Sequence, residues 1–202
     1  METEKQSLFG KFWYKAVEEA EIHAVFGQYM AKMFGDSIRF QPETIWTAEE
    51  VVQMKDQKQA YEEFFTIRFV IYHEEEFVGW MTGREENYET FYMENSGVLP
   101  KWRGKGVYSA MMKEMMKLAK EKGYQIIKSR HNATNNAILV PKLRAGFLIT
   151  GFELSDRYGT MIHLSYFLNP KRREVMDMRS GFRYPGQEIL EALDFTRQQN
   201  FE

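Results

Sequence analysis

The chain has 202 residues, of which 44% are hydrophobic and 28% are charged, a size and composition typical of one globular domain. It carries 27 basic and 29 acidic side chains, so its net charge of −2 gives no general reason to bind nucleic acid or an anionic membrane. The absence of cysteine excludes disulfides, thiolate metal sites and cysteine nucleophiles, and the 4 scattered histidines make a histidine-built metal site a poor hypothesis.

The chain shows no sign of export or membrane insertion. Its first residues lack the basic start and apolar run of a secretory signal. No window approaches the roughly 18 consecutive apolar residues that a transmembrane helix needs. We therefore expect a soluble, cytoplasmic protein with no membrane partner.

Hydrophobic periodicity predicts helices and then strands in the first half of the chain. Residues 12–34 have apolar side chains at helical spacing, and Gly35 and Asp36 provide a stop. Thr47-Ala-Glu-Glu50 has the form of a capping box, which predicts the start of a second helix. The next segments are dense in β-branched and aromatic residues and predict antiparallel strands at 64–72, 77–82 and 90–99.

The second half alternates between helix and strand. An apolar stripe predicts a helix at 107–122, which Gly123 ends. The remaining elements are a strand at 124–129, a short helix at 135–145 that Pro141 interrupts or bends, a hairpin of strands at 148–154 and 160–168, a solvated basic connector at 171–173, and a last helix at 187–199.

The order of these elements predicts the fold class. A helix joins the strand at 90–99 to the strand at 124–129, so the two are expected to be parallel neighbours in an otherwise antiparallel sheet. The fold is therefore α/β (α+β): a mixed, mostly antiparallel sheet covered by helices, with N-terminal helices and a C-terminal helical tail.

The segment Val98-Leu-Pro-Lys-Trp-Arg-Gly-Lys-Gly-Val-Tyr-Ser109 connects a strand end to a helix start. Gly104 and Gly106 let the backbone approach a ligand, and the first turn of the helix presents unpaired N–H groups at the positive end of its dipole. Arg103 and Lys105 add positive charge. Together these features predict an anion cradle suited to a pyrophosphate.

Two well-known phosphate loops do not match this segment, since Ser109 and Leu99 stand where their further glycines belong. The segment instead resembles the acetyl-CoA motif of the Gcn5-related N-acetyltransferase (GNAT) superfamily, usually Gln/Arg-x-x-Gly-x-Gly/Ala. Here it reads Lys101-Trp-Arg-Gly-Lys-Gly106, with lysine as the first residue. A second segment, Asn135-Asn-Ala-Ile-Leu-Val-Pro-Lys-Leu-Arg-Ala-Gly-Phe147, resembles the family stretch in which an asparagine opens a helix beside CoA.

The resemblance covers about residues 64–168, and we expect a single GNAT-like acetyltransferase domain at 1–202, with an N-terminal helical part at 1–60, an acetyl-CoA-binding core at 64–168 and a C-terminal extension at 170–202. It implies a V-shaped opening between the parallel strands for the pantetheine arm of acetyl-CoA, and the residue composition predicts no metal. The residues expected to bind the cosubstrate are Val98 and Leu99 for pantetheine, Arg103, Gly104, Lys105, Gly106, Val107 and Tyr108 for the pyrophosphate, and Asn135 for the CoA arm.

Asn135 can equally be a helix N-cap, alone or together with that contact. The other open assignments concern the proton transfers that amide formation requires. Counting back from Gly146, the slot of the usual tyrosine acid holds Lys142, which is either the acid or a solvated helix lysine. For the base, family members often carry a carboxylate on the strand at 90–99, where Glu94 is the candidate, with Glu89 behind it.

Strand alternation places Tyr92, Glu94, Ser96 and Val98 on one face of that strand, and Phe91, Met93 and Asn95 on the other. His131 is the other candidate base, because the ordinary pKa of histidine, about 6.5, suits that role. The alternative for His131 is a hydrogen-bonded loop histidine.

The sequence therefore predicts an N-acetyltransferase, an acyltransferase that moves an acetyl group from acetyl-CoA to a primary amine of a small molecule or a protein by direct attack in a ternary complex. The alternative is a non-catalytic acyl-CoA-binding sensor or interaction module, which Lys142 in place of tyrosine favours. Nucleic-acid binding through 101–105 and 171–173 is disfavoured by the net charge. The N-terminal helices either cover the sheet of their own chain or form a homodimer.

Overall fold

The computed structural model describes residues 4–35, 42–60 and 64–192. One sheet of eight strands runs in the order β1-β2-β3-β4-β5-β6-β8-β7. The strands are β1 (Gln6–Phe9), β2 (Phe12–Ala16), β3 (Thr66–His73), β4 (Glu76–Asn87), β5 (Thr90–Val98), β6 (Ile126–Asn132), β7 (Leu148–Ser155) and β8 (Gly159–Phe167). The described helices are α1 (Glu19–Phe34), α2 (Ala48–Ala60), α3 (Val107–Glu121), α4 (Asn136–Arg144), α5 (Pro170–Arg179) and α6 (Gln187–Ala192).

The strand pairing confirms the predicted fold class. β5 and β6 are parallel, as the helix between them requires, and the other neighbouring strands are antiparallel. None of the helices in the described residues is long and apolar enough to cross a membrane.

The prediction of one helix over 12–34 is wrong at its beginning, because Phe12–Ala16 forms β2. β2 pairs with β3, where Trp13 stacks on Tyr72 with ring centroids 4.6 Å apart, and Tyr14 is buried. Cross-strand aromatic pairs stabilise a sheet, whereas the first turn of a helix is unfavourable to form. The helix itself ends before Gly35, as predicted, while Asp36 lies outside the described residues.

The predicted capping box at the start of α2 is confirmed. The Thr47 hydroxyl accepts a hydrogen bond from the Glu50 N–H at 3.2 Å, and the Glu50 carboxylate accepts one from the Thr47 N–H at 2.7 Å. The two bonds satisfy backbone donors that the first helical turn leaves without partners.

Two apolar layers cover opposite faces of the sheet. The apolar stripe of α3, including Met111 and Met115, packs with Phe69 and Phe91 on one face. α1 packs on the other face around Trp80, which is fully buried and donates a hydrogen bond to Asn95 Oδ1 at 2.8 Å. The described part of the N-terminal region therefore covers the sheet of its own chain.

A β-bulge in β5 corrects the predicted alternation of its side chains. Thr82 and Gly83 on β4 face Asn95 and Met93, so Glu94 is an extra residue with no direct partner. As a result Val98 lies in the same core cluster as Phe91 and Met93, not on the face of Tyr92.

The basic triplet at 171–173 is not a solvated connector, because it lies in α5. Asn169 caps this helix by accepting a hydrogen bond from the Lys171 N–H at 2.9 Å, and Pro170 fits the first helical position. Arg172 binds the Glu89 carboxylate at 2.7 Å, and Arg173 donates to the Gly146 carbonyl at 2.7 Å. The last helix is described as Gln187–Ala192, and the predicted residues 193–199 lie outside the described part.

Candidate functional site

An opening lies between the two parallel strands. β5 and β6 pair at three positions, the last being Tyr92 with Lys128. Beyond these positions β5 stays paired with β4 up to Val98, and β6 stays paired with β8 up to Asn132. The two strands therefore diverge, and we call the point just beyond Tyr92 and Lys128 the fork. Because the strands are parallel, the loops that follow them meet at one edge of the sheet.

The loop after β5 forms an open cradle at the start of α3. Gly104 and Gly106 have left-handed φ angles of 72° and 81°. A Cβ atom added to either glycine would meet no heavy atom within 4 Å. Gly106 is the N-cap of α3 and has no side chain that could cap the helix. The first N–H groups of α3, including those of Val107 and Tyr108, therefore remain free to donate hydrogen bonds to a ligand.

The backbone at the end of β5 is only partly free. The Leu99 N–H donates to the Val78 carbonyl at 2.9 Å, and the Leu99 carbonyl accepts from the Trp102 N–H at 2.8 Å. The Arg103 side chain turns back to donate to the Val98 carbonyl at 3.0 Å. Thus Leu99, one of the two residues expected to hold pantetheine, already has partners for its N–H and C=O groups.

Lys105 lies in the loop between β5 and α3, and Asn135 lies in the loop between β6 and α4. The Lys105 Nζ lies 4.7 Å from the centroid of the Trp102 ring. Asn135 occupies the N-cap position of α4, but its exposed side chain makes no capping hydrogen bond. The side-chain amide of Asn135 therefore remains available for another partner.

Lys142 lies at the fork and is not a solvated helix lysine, because only 1% of it is exposed. Its Nζ donates to the Ser129 Oγ at 2.8 Å and lies 3.2 Å from the Met93 Sδ. It also lies 4.5 Å from the centroid of the Phe147 ring. Burial lowers the pKa of Lys142 to about 7, because the water-poor surroundings disfavour the charged amine.

His131 lies on β6 rather than in a loop, two residues beyond Ser129. Burial, reinforced by the charge of Lys142, lowers the pKa of His131 to about 3. Its buried Nε2 has no hydrogen-bond partner among the described residues. A histidine that stays neutral at ordinary pH is a weak proton acceptor, so the ordinary pKa on which its assignment as base depended does not apply.

The opposite face of the fork carries a polar cavity of about 430 Å³. Since the Ser129 side chain faces Lys142, strand alternation turns Lys128 and Arg130 to the cavity face. The rest of the lining is polar except for Leu164 and the ring of Tyr92, and consists of Glu86, Tyr92, Ser129, Thr150, His163, Leu164 and Ser165. Chemical groups could therefore reach the fork from both faces of the sheet.

Glu94 lies on the bulge of β5 with its side chain about half exposed. Its carboxylate is 3.5 Å from Arg84, whose guanidinium lies 5.9 Å from the centroid of the Tyr92 ring. Because Tyr92 lines the cavity, this contact turns Glu94 toward the cavity side of β5. In the described part of the chain, no group of three or more His, Cys, Asp and Glu side chains is arranged to hold a metal.

Sequence reasoning missed a cluster on the cavity wall. Arg130 binds Glu153 at 3.2 Å and donates to the Tyr92 hydroxyl at 3.2 Å, which ties β6 to β7 and β5. Glu153 also contacts His163 Nε2 at 2.8 Å. The alternation of polar residues along β6 and β8 was a usable signal, since it places Arg130 and His163 at paired positions on one face.

Comparison with known proteins decides the family. A model of the Acetyltransferase (GNAT) family matches residues 31–147, which is more than half of the chain. The chain belongs to this family. The matched GNAT region contains the cradle, the fork and all of α4.

Solved GNAT structures share this fold. A putative acetyltransferase from Salmonella typhimurium, solved with its cofactor acetyl-CoA, has a TM-score of 0.56 and 13% identity, over 80% of this chain and 96% of that one. The ribosomal-protein-S5-alanine acetyltransferase from Vibrio fischeri has a TM-score of 0.58 and 10% identity, over 83% and 98% of the chains. No curated protein sequence matches the chain. The structural likeness confirms the GNAT-like fold.

Proposed function

We propose that the protein is a cytoplasmic, acetyl-CoA-dependent N-acetyltransferase that moves the acetyl group to a primary amine by direct attack in a ternary complex. One observation carries the proposal: two parallel strands pair at three positions and then part, and an uncapped, glycine-lined helix start follows the first of them. The opening suits an extended arm, and the helix start suits its phosphates. Membership of an acetyltransferase family supports acetyl transfer as the reaction.

The residues present fit acetyl-CoA. The open space at Gly104 and Gly106 leaves room for a pyrophosphate against the backbone from Arg103 to Tyr108. Because the Leu99 N–H points to β4, the Val98 N–H points into the opening, where it is able to bind the pantetheine arm. The uncommitted Asn135 amide is a second donor for that arm, while Leu99 contributes less than the family pattern implies.

The two faces of the fork favour direct attack. Lys142 lies at the fork on the face of the sheet that α3 and α4 cover, and the cavity lies at the fork on the opposite face. A thioester in the opening would therefore meet an amine that enters through the cavity, without a covalent enzyme intermediate. Two bound reactants held in this way gain from proximity.

Glu94 is the proposed base and Lys142 the proposed acid. Glu94 lies on the cavity side, where the amine would enter, and its partial exposure allows it to pass a proton to water. Lys142 faces the opening from the other side, where the leaving sulfur would lie. The low pKa of His131 argues against a role for it as base.

The test is a screen for acetyl transfer. The protein is incubated with acetyl-CoA and a panel of primary amines: free amino acids, polyamines, amino sugars, and short peptides with a free α- or ε-amino group. We expect amine-dependent release of free CoA thiol, with an acetylated amine detected by mass spectrometry. Binding of acetyl-CoA without release for any amine would contradict the enzyme proposal and favour the non-catalytic acyl-CoA sensor.

A further inference from the structure

Lys142 is an unusual group to find inside a protein. Lysine is almost never fully buried without a charged partner, and no carboxylate in the described residues lies within ion-pair distance of its Nζ. Its contacts are instead the Ser129 hydroxyl at 2.8 Å and the Met93 thioether at 3.2 Å. An amine held in this way has an unused capacity to balance a negative charge.

The surroundings contribute no other charge to this amine. The neighbouring side chains are Met93 from β5, Ser129 and His131 from β6, and Phe147 from the segment that follows α4. Of these only His131 titrates, and burial keeps it neutral above a pKa of about 3. A negative partner for Lys142 would thus have to come from a ligand in the opening.

The position of Lys142 along β5 matches the reacting end of such a ligand. Met93 and Ser129 are the first residues beyond the last β5–β6 pair, so Lys142 lies directly at the fork. Met93 and Val98 are five steps apart along β5, which is at most about 17 Å at the usual rise per residue, and the bulge at Glu94 shortens this span. An extended pantetheine arm that starts from its phosphates at the start of α3 and follows this part of β5 brings its sulfur towards the fork.

We propose that Lys142 holds the sulfur of the product CoA as a thiolate, in an ammonium–thiolate ion pair. The inference rests on the proposed acetyltransferase function and deepens it. Neutral Lys142 would accompany acetyl-CoA, whose thioester is uncharged. As the acceptor nitrogen forms the amide bond, the carbon–sulfur bond breaks and its electron pair goes to sulfur. The proton that the nitrogen loses passes through Glu94 to water, and Lys142 takes up an equivalent proton from solvent. Lys142 then acts as the proposed acid, because it gives this proton to sulfur when CoA leaves.

The charged pair is favoured over a neutral amine and thiol for a physical reason. Burial disfavours each charge by itself, because it lowers the pKa of Lys142 to about 7 and raises the pKa of a thiol above its ordinary value of about 8.5. Attraction between opposite charges a few ångströms apart in a water-poor site offsets both effects when the two groups meet. The two groups then titrate as one coupled pair.

The experiment measures the ultraviolet absorbance of the thiolate in bound CoA as a function of pH. The reference ligand is desulfo-CoA, which lacks the sulfur and fills the same site. Wild type is compared with Lys142→Met, and Lys120→Met on the exposed side of α3 is the matched control. Isothermal calorimetry in two buffers of different ionisation enthalpy counts the protons exchanged on binding.

In wild type and Lys120→Met, we expect the midpoint of thiolate formation in bound CoA at least one pH unit below that of free CoA. In Lys142→Met we expect it at or above the free value, with CoA weakened about tenfold relative to desulfo-CoA. If wild type binds both ligands and its midpoint is not lowered, the ion pair is refuted while acetyl-CoA binding stands. If neither ligand binds, both proposals are refuted.

Discussion

At the scale of single residues, burial decides the chemistry of this site. Lys142 and His131 are both ionisable, yet their water-poor surroundings lower both pKa values, to about 7 and about 3. Polarity alone assigns a helix lysine to solvent and a histidine to proton transfer near neutral pH. The structure reverses both assignments. α4 places Lys142 in the core at the fork, and burial together with the charge of Lys142 keeps His131 neutral.

The low pKa of Lys142 predicts how stability depends on pH. Its pKa is 10.5 when unperturbed and about 7 in the fold, so between these values the unfolded chain binds more protons than the native chain. The free energy of unfolding therefore rises with pH in this window, by at most about 1.4 kcal/mol per pH unit, and the penalty is complete below about pH 7.

Urea unfolding between about pH 7 and about pH 9 measures this contribution. Lys142→Met removes the titrating amine, so its stability should rise less over this range than that of wild type. Lys120→Met, which removes an exposed lysine, should keep the wild-type slope. Equal slopes in wild type and Lys142→Met would show that the amine is not buried as described.

Glu94 gives a second prediction at this scale. If Glu94 accepts the proton of the amine, Glu94→Gln should lower kcat at least tenfold. General base catalysis typically contributes about a hundredfold or more, and water replaces part of that contribution. The affinity for acetyl-CoA should not change, since Glu94 contacts Arg84 on β4 and lies outside the cradle. Glu75→Gln in the exposed β3–β4 turn is the control. Unchanged turnover in Glu94→Gln would remove Glu94 from the mechanism.

At the scale of elements, the functional parts are the ends of strands and helices. The β5–α3 connection provides the cradle, and the β6–α4 connection provides Asn135. α5 fixes the end of α4 through the bond from Arg173 to the Gly146 carbonyl. The C-terminal extension thus supports the helix that carries Lys142.

Gly104→Val tests the cradle. The valine side chain would occupy the space that the pyrophosphate needs, so CoA affinity should fall more than tenfold. Gly159→Val is a matched control, because Gly159, the first residue of β8, has almost the same φ angle, 73° against 72°, and also has open space around it. Both variants carry the same backbone strain, so an equal loss of affinity would exclude a specific role for Gly104.

Elements with a strong local signal could be predicted from the sequence. The amphipathic α3, the capping box of α2 and the glycine-rich loop each depend on residues close together in the chain. Features that depend on distant partners could not. The sequence of β2 forms a strand because β3 pairs with it, and the bulge at Glu94 exists only in register with β4. On α4, Val140 and Leu143 are exposed while Lys142 is buried, which inverts the usual polarity of a helix.

At the scale of the whole molecule, the sheet separates two approaches to one point. α3 and α4 cover the face from which Lys142 reaches the fork, and the polar cavity opens on the other face. The missed cluster of Arg130, Glu153 and His163 belongs to that second approach. The architecture thus brings together a cradle for phosphates, an opening for an arm and an entrance for an amine.

Thermal unfolding with acetyl-CoA, CoA and NAD in parallel tests whether the opening and its cradle bind acetyl-CoA. A ligand that binds only the native state stabilises it by about 2.7 kcal/mol at one hundred times its dissociation constant. We expect a rise in Tm with acetyl-CoA and CoA and none with NAD. An unchanged Tm with both CoA ligands would show that the opening and its cradle do not bind acetyl-CoA.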